Sequence, residues 1–248
     1  MRVGFANLLL AATPTLRIAP PLRAASCGAW LDNVYDRIDY EKALFSADVL
    51  DEGDADNDDF GEDAFIYGES DVAFFLSTLR TALDIGSSPS GGFCDLGGGK
   101  GQLALAAARE ESERLRGACV SLELIPELHR VAAAAYEVAS ADDSALGRVA
   151  ARRGSFYDAT TLADACASAA IVFAYATKFE SADGTHVEKL SSALGACATL
   201  PEDAIVVTVN RRLVASDGWE EAAGAVEGEA PHEDSGRATA FFWRRRLQ

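Results

Sequence analysis

Apolar residues in this chain gather in two patterns that alternate. Dense apolar runs occur around Phe93 to Asp95 and over residues 118–123, 169–175, 204–209 and 238–243, and the shorter stretch 148–153 adds a further strand. Runs of that length, bounded by turn residues, read as buried strands. Between them lie segments with helical spacing: 71–83, 103–109, 126–139, 161–166 and 187–200. Asp71 suits the N-terminal end of the first. Pro126 suits the first turn of the third, and Pro201 ends the last. Residues 31–50 alternate apolar and charged positions and fit one or two helices, while residues 218–228 show no readable period. Strands alternating with helices predict an α/β chain: a doubly wound, mostly parallel sheet of Rossmann-like type, with its terminal strand antiparallel.

The most informative stretch is Phe93-Cys94-Asp95-Leu96-Gly97-Gly98-Gly99-Lys100-Gly101-Gln102. It reads as strand, tight turn and helix, the ligand-binding corner of a doubly wound sheet. A P-loop needs glycine at the position of Cys94 and Ser or Thr at that of Gly101, so it fails twice. A dinucleotide fingerprint needs glycine where Gln102 stands, so it fails once. Asp95-x-Gly97-x-Gly99-x-Gly101 resembles at every position the loop of class I S-adenosylmethionine (SAM) methyltransferases. SAM is a cation without phosphates, which suits an acid at Asp95. Lys100, with no phosphate to meet, is expected to be solvated. The run 118–123 ends on Glu123, placed to hold ribose hydroxyls from the end of the second strand. Gly154-Ser155-Phe156 follows the third strand. Tyr175 to Phe179 follow the fourth and should line the same crevice.

Composition narrows the picture. The chain has 248 residues, 49% of them hydrophobic, enough for one large domain with appendages. We divide it into 1–31, a targeting peptide or disordered tail, then 32–64, helices and an acidic loop, and 65–248, the catalytic-type domain. Residues 1–31 carry Arg2, Arg17 and Arg23 and no acid, a composition that fits a targeting peptide and a tail equally. Asp54, Asp56 and Asp58 begin like a calcium loop. Asp59 stands where the turn glycine is needed and Phe65 at the twelfth position, which excludes one. Net charge is −17, so strong nucleic-acid binding is not expected. No apolar run is long enough to span a membrane. Five cysteines without C-x-x-C spacing read as buried thiols. His129, His186 and His232 show no metal spacing, so no metal is expected.

Four separated stretches carry a more specific likeness: Tyr67-Gly68-Glu69, Asp95 to Gln102, Leu122 to His129, and Arg153-Gly154-Ser155-Phe156. With residues 171–179 they resemble the "disruptor of telomeric silencing" type of histone-lysine methyltransferase, the non-SET enzymes of the class I SAM-dependent superfamily. The likeness spans about residues 60–213. It implies that Tyr67, Gly68 and Glu69 close over SAM near its methionine end. Asp95, Gly97, Gly99 and Gly101 shape the loop beneath it, and Gln102 opens the next helix. Glu123 holds the ribose, and Ser155 and Phe156 flank the adenine. The family often has Asn-Asn-Phe after the fourth strand; here the stretch is Ala174-Tyr175-Ala176-Thr177-Lys178-Phe179. The basic extension of the nuclear enzymes is absent, and residues 244–246 form only a small basic cluster.

The resemblance implies SAM as co-substrate and a protein lysine, histone included, as acceptor. The reaction is direct displacement of the methyl by a deprotonated amine, with the protein orienting and desolvating it. Tyr175 is the candidate catalytic residue, its ring or hydroxyl meeting the sulfonium or the amine; a core aromatic at a strand end is the plain alternative. A SAM enzyme acting on a small molecule or a non-histone organellar protein, and a SAM-binding module without catalysis, remain open. The location is nuclear if the family's role holds and an organelle if residues 1–31 are a transit peptide.

Overall fold

The computed structural model describes residues 16–17, 22–38, 70–86, 91–230, 233 and 235–246. Tyr67, Gly68, Glu69, most of the linker at 86–92 and the acidic segment at 48–63 lie outside them.

Among the described residues eight strands form one sheet. They are β1 (Leu16–Arg17), β2 (Gly92–Leu96), β3 (Cys119–Glu123), β4 (Val149–Arg153), β5 (Ala169–Ala174), β6 (Ile205–Val209), β7 (Trp219–Glu229) and β8 (Arg237–Arg245). Their order is β1-β7-β8-β6-β5-β2-β3-β4. Only β8 runs against its neighbours, pairing antiparallel with both β6 and β7; every other pairing is parallel. The mostly parallel sheet with an inverted last strand is as expected from the apolar runs.

Among the described residues six helices cover the sheet: α1 (Leu22–Tyr35), α2 (Val72–Ile85), α3 (Gln102–Glu110), α4 (Pro126–Asp142), α5 (Ala159–Cys166) and α6 (Glu188–Ala196). The strands alternate between two cores. Phe93, Cys119, Ile171, Phe173, Ile205 and Val207 face the core shared with α1 to α4. Cys94, Leu96, Val120, Val172 and Val206 face α5 and α6. Burial on both faces is why these strands read as continuous apolar blocks. Phe75 of α2 meets Phe93 and Phe173 edge-on, at 5.5 and 5.2 Å between centroids. Such pairs add about 0.5–1.5 kcal/mol each beyond area burial. All five cysteines are free and buried.

Three elements position the crevice. Asp71 caps α2, accepting from the Phe74 backbone N–H at 2.7 Å, so Ser70 lies where α2 begins. Helix α1 lies within and just beyond the stretch 1–31, and buries Cys27, Leu31, Val34 and Tyr35 in the first core. Strand β7 occupies the stretch whose pattern is unreadable. Register shifts between Glu221 and Ala223 and between Ala223 and Val226 break its alternation. Gly228 lets α2 approach, since a Cβ there would fall 2.2 Å from Phe74 Cδ2.

Candidate active site

The carboxyl ends of β2, β3, β4, β5 and β6 open on one edge of the sheet. β2 is the switch point, since the chain passes from it to β3 on one side and β5 lies on the other. After Leu96 the backbone turns through Gly97, Gly99 and Gly101, all at positive φ, of 75°, 53° and 84°. The Leu122 carbonyl accepts from both Gly97 and Gly98 N–H, at 2.9 and 3.1 Å, which ties the turn to β3. Gly101 is the left-handed residue just before α3. A Cβ there would stand 2.2 Å from the Tyr136 hydroxyl, which donates to the Gly101 carbonyl at 3.1 Å. From α1, Tyr35 donates its hydroxyl to the Lys100 carbonyl at 2.7 Å. Two tyrosines from different helices thus hold adjacent carbonyls of the glycine turn.

Lys100 departs from expectation. Its side chain is buried rather than solvated, with Nζ 4.9 Å from the centre of the Tyr35 ring. A cation over an aromatic face compensates part of its lost hydration.

Two acids lie under the turn, both buried. Glu123 accepts from Gly99 N–H on Oε2 and from Ile125 N–H on Oε1, each at 2.8 Å. Burial pushes its pKa up, and those backbone donors oppose the rise. Asp95 Oδ2 has no partner among the described residues. Burial first, and then the Glu123 carboxylate, push the Asp95 pKa up to about 8. Of two neighbouring buried acids, the one without backbone donors keeps the proton. The backbone of Gly98 passes close over both β2 and β3, where a Cβ would meet Ser121 Cβ at 2.7 Å and Asp95 Oδ2 at 3.2 Å.

Beside this turn stand the aromatics. Gly154 donates its N–H to the Glu123 carbonyl at 2.9 Å, bringing Ser155 and Phe156 to the end of β3. Phe156 lies 4.9 Å from Phe179, centroid to centroid, and both flank Gly97. Gln102 donates to the Ser70 carbonyl at 3.4 Å, joining the start of α3 to the chain just ahead of α2.

A polar chain closes the other end. Tyr175, at the end of β5, donates its hydroxyl to Glu233 Oε1 at 2.7 Å. Thr177 donates to the same oxygen at 3.0 Å. Asn210 Nδ2 donates to Thr177 Oγ1 at 2.9 Å, and Asn210 Oδ1 accepts from Thr239 N–H at 2.8 Å. Asn210 is the one non-glycine residue with positive φ among the described residues, at 64°. Asparagine tolerates that conformation better than most side chains.

No family model matches the chain, and no curated protein matches it. Solved structures do. One structure of the rRNA methyltransferase aviRa from Streptomyces viridochromogenes superposes with a TM-score of 0.52 at 16% identity, over 72% of this chain and 86% of that one. A second structure of the same protein gives 0.50 at 15%, over 85% and 94%. The fold is the Rossmann-like methyltransferase fold. At such low identity the likeness speaks for the fold alone.

In that methyltransferase fold, Asp95, Gly97, Gly99, Gly101, Gln102, Glu123, Ser155 and Phe156 come together at one corner, and Tyr175 lies farther along the same edge. Tyr67, Gly68 and Glu69 fall outside the described residues. Two residues escaped the sequence reading. Asn210 directly follows the apolar run 204–209, and a strand-end asparagine is a signal that was there to take. Glu233 was hidden because its hairpin is recognisable only once β7 is seen as a strand. Among the described residues no three metal-ligating side chains gather, and no helix is long and apolar enough to cross a membrane.

Proposed function

We propose that this protein is a SAM-dependent methyltransferase acting on an amine. The observation that carries the reading is the glycine turn at β2 with two buried acids beneath it, one closed on Gly99 and the other with an unpartnered oxygen. A cation with a ribose and a flat base suits that arrangement. Glu123 keeps acceptor capacity for ribose hydroxyls, since a carboxylate offers about four lone-pair sites and backbone groups take two. Asp95 supplies negative charge toward the amino-acid end, and Ser155 and Phe156 flank the base. By the resemblance, Tyr67, Gly68 and Glu69 would close over the methionine end. Once bound, SAM supplies a methyl on a sulfonium, ready for displacement.

The acceptor reading is a protein lysine, as the resemblance to the telomeric-silencing type of enzyme implies. A small-molecule amine is the second reading, favoured by the absence of a basic extension. Burial, then Glu233, and lastly Asp71 raise the Tyr175 pKa, so two acids act on that hydroxyl, and a cationic acceptor suits them. The rRNA acted on by aviRa is a poorer match to a chain of net charge −17.

The test is calorimetric titration with SAM, then tritiated-methyl transfer to core histones, a whole-cell protein extract, total RNA and a set of small amines. We expect binding that Asp95→Ala and Glu123→Ala each weaken by at least about tenfold, the order of one strong charged contact. We expect label on protein or on an amine. A well-folded protein without SAM affinity overturns the reading, and label confined to RNA overturns the acceptor class.

A further inference from the structure

We infer that the β7–β8 hairpin carries the acceptor site, where Glu233 binds the ammonium of the incoming amine and takes its proton. The inference rests on the methyltransferase reading above and adds a residue and a role to it.

The topology brings the hairpin there. β7 runs parallel to β1 and antiparallel to β8, and β8 antiparallel to β6. The carboxyl end of β7 therefore falls on the same edge as those of β5 and β6. Backbone hydrogen bonds tie together the described residues of the turn. Ala230 N–H donates to the Gly236 carbonyl at 3.0 Å, Glu233 N–H to the Ala230 carbonyl at 2.9 Å, and Gly236 N–H to the Glu233 carbonyl at 2.8 Å.

The hydrogen bonds then run one way only. Thr239 N–H can only donate, so Asn210 must turn Oδ1 toward it and Nδ2 toward Thr177. Thr177 Oγ1 accepts that bond and spends its own proton on Glu233 Oε1. Tyr175 donates to the same oxygen. The chain ends on a carboxylate oxygen holding two donors, and Oε2 makes no hydrogen bond among the described residues. Arg237, the first residue of β8, is turned to Glu227 at 2.6 Å and leaves Glu233 to others. Burial and Glu233 push the Tyr175 hydroxyl pKa up, so Tyr175 stays a donor and does not serve as the base. An oxygen without a partner, beside two fixed donors on the same carboxylate, is a receptor for a cation with protons to give.

The step balances. The ammonium passes one proton to Glu233, leaving a neutral amine and a carboxylic acid. The amine lone pair forms the N–C bond to the methyl as the C–S bond breaks. Sulfur keeps that electron pair and becomes a thioether. The product nitrogen carries the positive charge, and Glu233 returns its proton to solvent. Tyr175, Thr177 and Asn210 act as positioning residues.

The experiment uses the full chain saturated with S-adenosylhomocysteine and n-butylamine as probe, a lysine side chain without a backbone. Calorimetry measures SAM affinity for every variant. Butylammonium binding is expected in the wild type, to fall at least about tenfold in Glu233→Gln, and to fall less in Asn210→Ala and Tyr175→Phe. SAM affinity should stay constant in Glu233→Gln. In transfer assays Glu233→Gln should lower kcat while SAM affinity holds, the split expected of a group that meets the acceptor and not the co-substrate. Equal butylammonium binding by wild type and Glu233→Gln overturns the inference. So does a wild type that binds SAM and ignores butylammonium, and in that case the methyltransferase reading survives. A wild type that binds no SAM removes both.

Discussion

Asp95 and Glu123 are neighbours on paired strands, yet they differ in one respect that sets their chemistry. Glu123 holds backbone N–H donors on both oxygens, and Asp95 Oδ2 holds none among the described residues. With its pKa raised from the ordinary aspartate range to about 8, Asp95 is protonated in the free protein at neutral pH. Its folded pKa lies above its unfolded one, so its contribution to stability is present at acid pH. That contribution is lost as pH climbs from about 4 through about 8, at no more than about 1.4 kcal/mol per pH unit. Asp95→Asn should flatten that slope in denaturant melts at pH 6 and pH 9, gaining on the wild type at the higher pH. A bound cation reverses the preference and favours the carboxylate. SAM binding should therefore release close to one proton below pH 8, seen as a binding heat that changes between buffers of different protonation enthalpy. In Asp95→Asn the heat should not depend on the buffer through this group. Equal buffer dependence in the two proteins would discard the protonated Asp95.

At the scale of elements, the site hangs on a helix that composition disguised. Residues 1–31 contain no acid and several arginines, and α1 begins inside them. Its buried face is narrow: Ser26, Ala29, Asp32 and Asn33 on the other side are exposed. Cys27, Leu31 and Val34 enter the core, and Trp30 lies 4.5 Å from the Arg109 guanidinium. Its last residue, Tyr35, grips the Lys100 carbonyl. Any segment removed as a targeting peptide must therefore end ahead of Leu22. Tyr35→Phe leaves a buried carbonyl without its donor, at a cost of about 1–3 kcal/mol. The Tyr35→Phe protein should melt lower and bind SAM more weakly. A chain starting at residue 22 should keep both properties, and one starting at residue 36 should lose its cooperative melt. Strands β2, β3, β5 and β6 were legible because burial on both faces writes an unbroken apolar block. The corner at Asp95 was legible because positive φ demands glycine at Gly97, Gly99 and Gly101. Strand β7 was not, because its bulges break the alternation, and Glu233 went unseen with it.

At the scale of the whole molecule, charge decides which acceptors arrive. With net charge −17 the chain repels polyanions and draws cationic partners from solution. Attraction between exposed charges is screened over a Debye length of about 10 Å at 0.1 M salt. A lysine-rich protein acceptor would feel this field along its whole surface. A small amine would feel little beyond the pocket itself. The two acceptor readings therefore differ in salt response. For a basic protein such as a histone, the KM should rise several-fold between about 50 and about 200 mM salt while kcat holds, because screening slows encounter and leaves the desolvated chemistry alone. For n-butylamine both constants should change by less than about twofold over the same range, since a charge inside a cleft is screened less than one at the surface. Measuring both acceptors on one preparation separates them. A salt-sensitive KM only with the protein acceptor favours long-range capture of a lysine-bearing chain. A KM that falls with salt for the basic protein would mean that a local basic patch governs docking against the charge of the molecule as a whole.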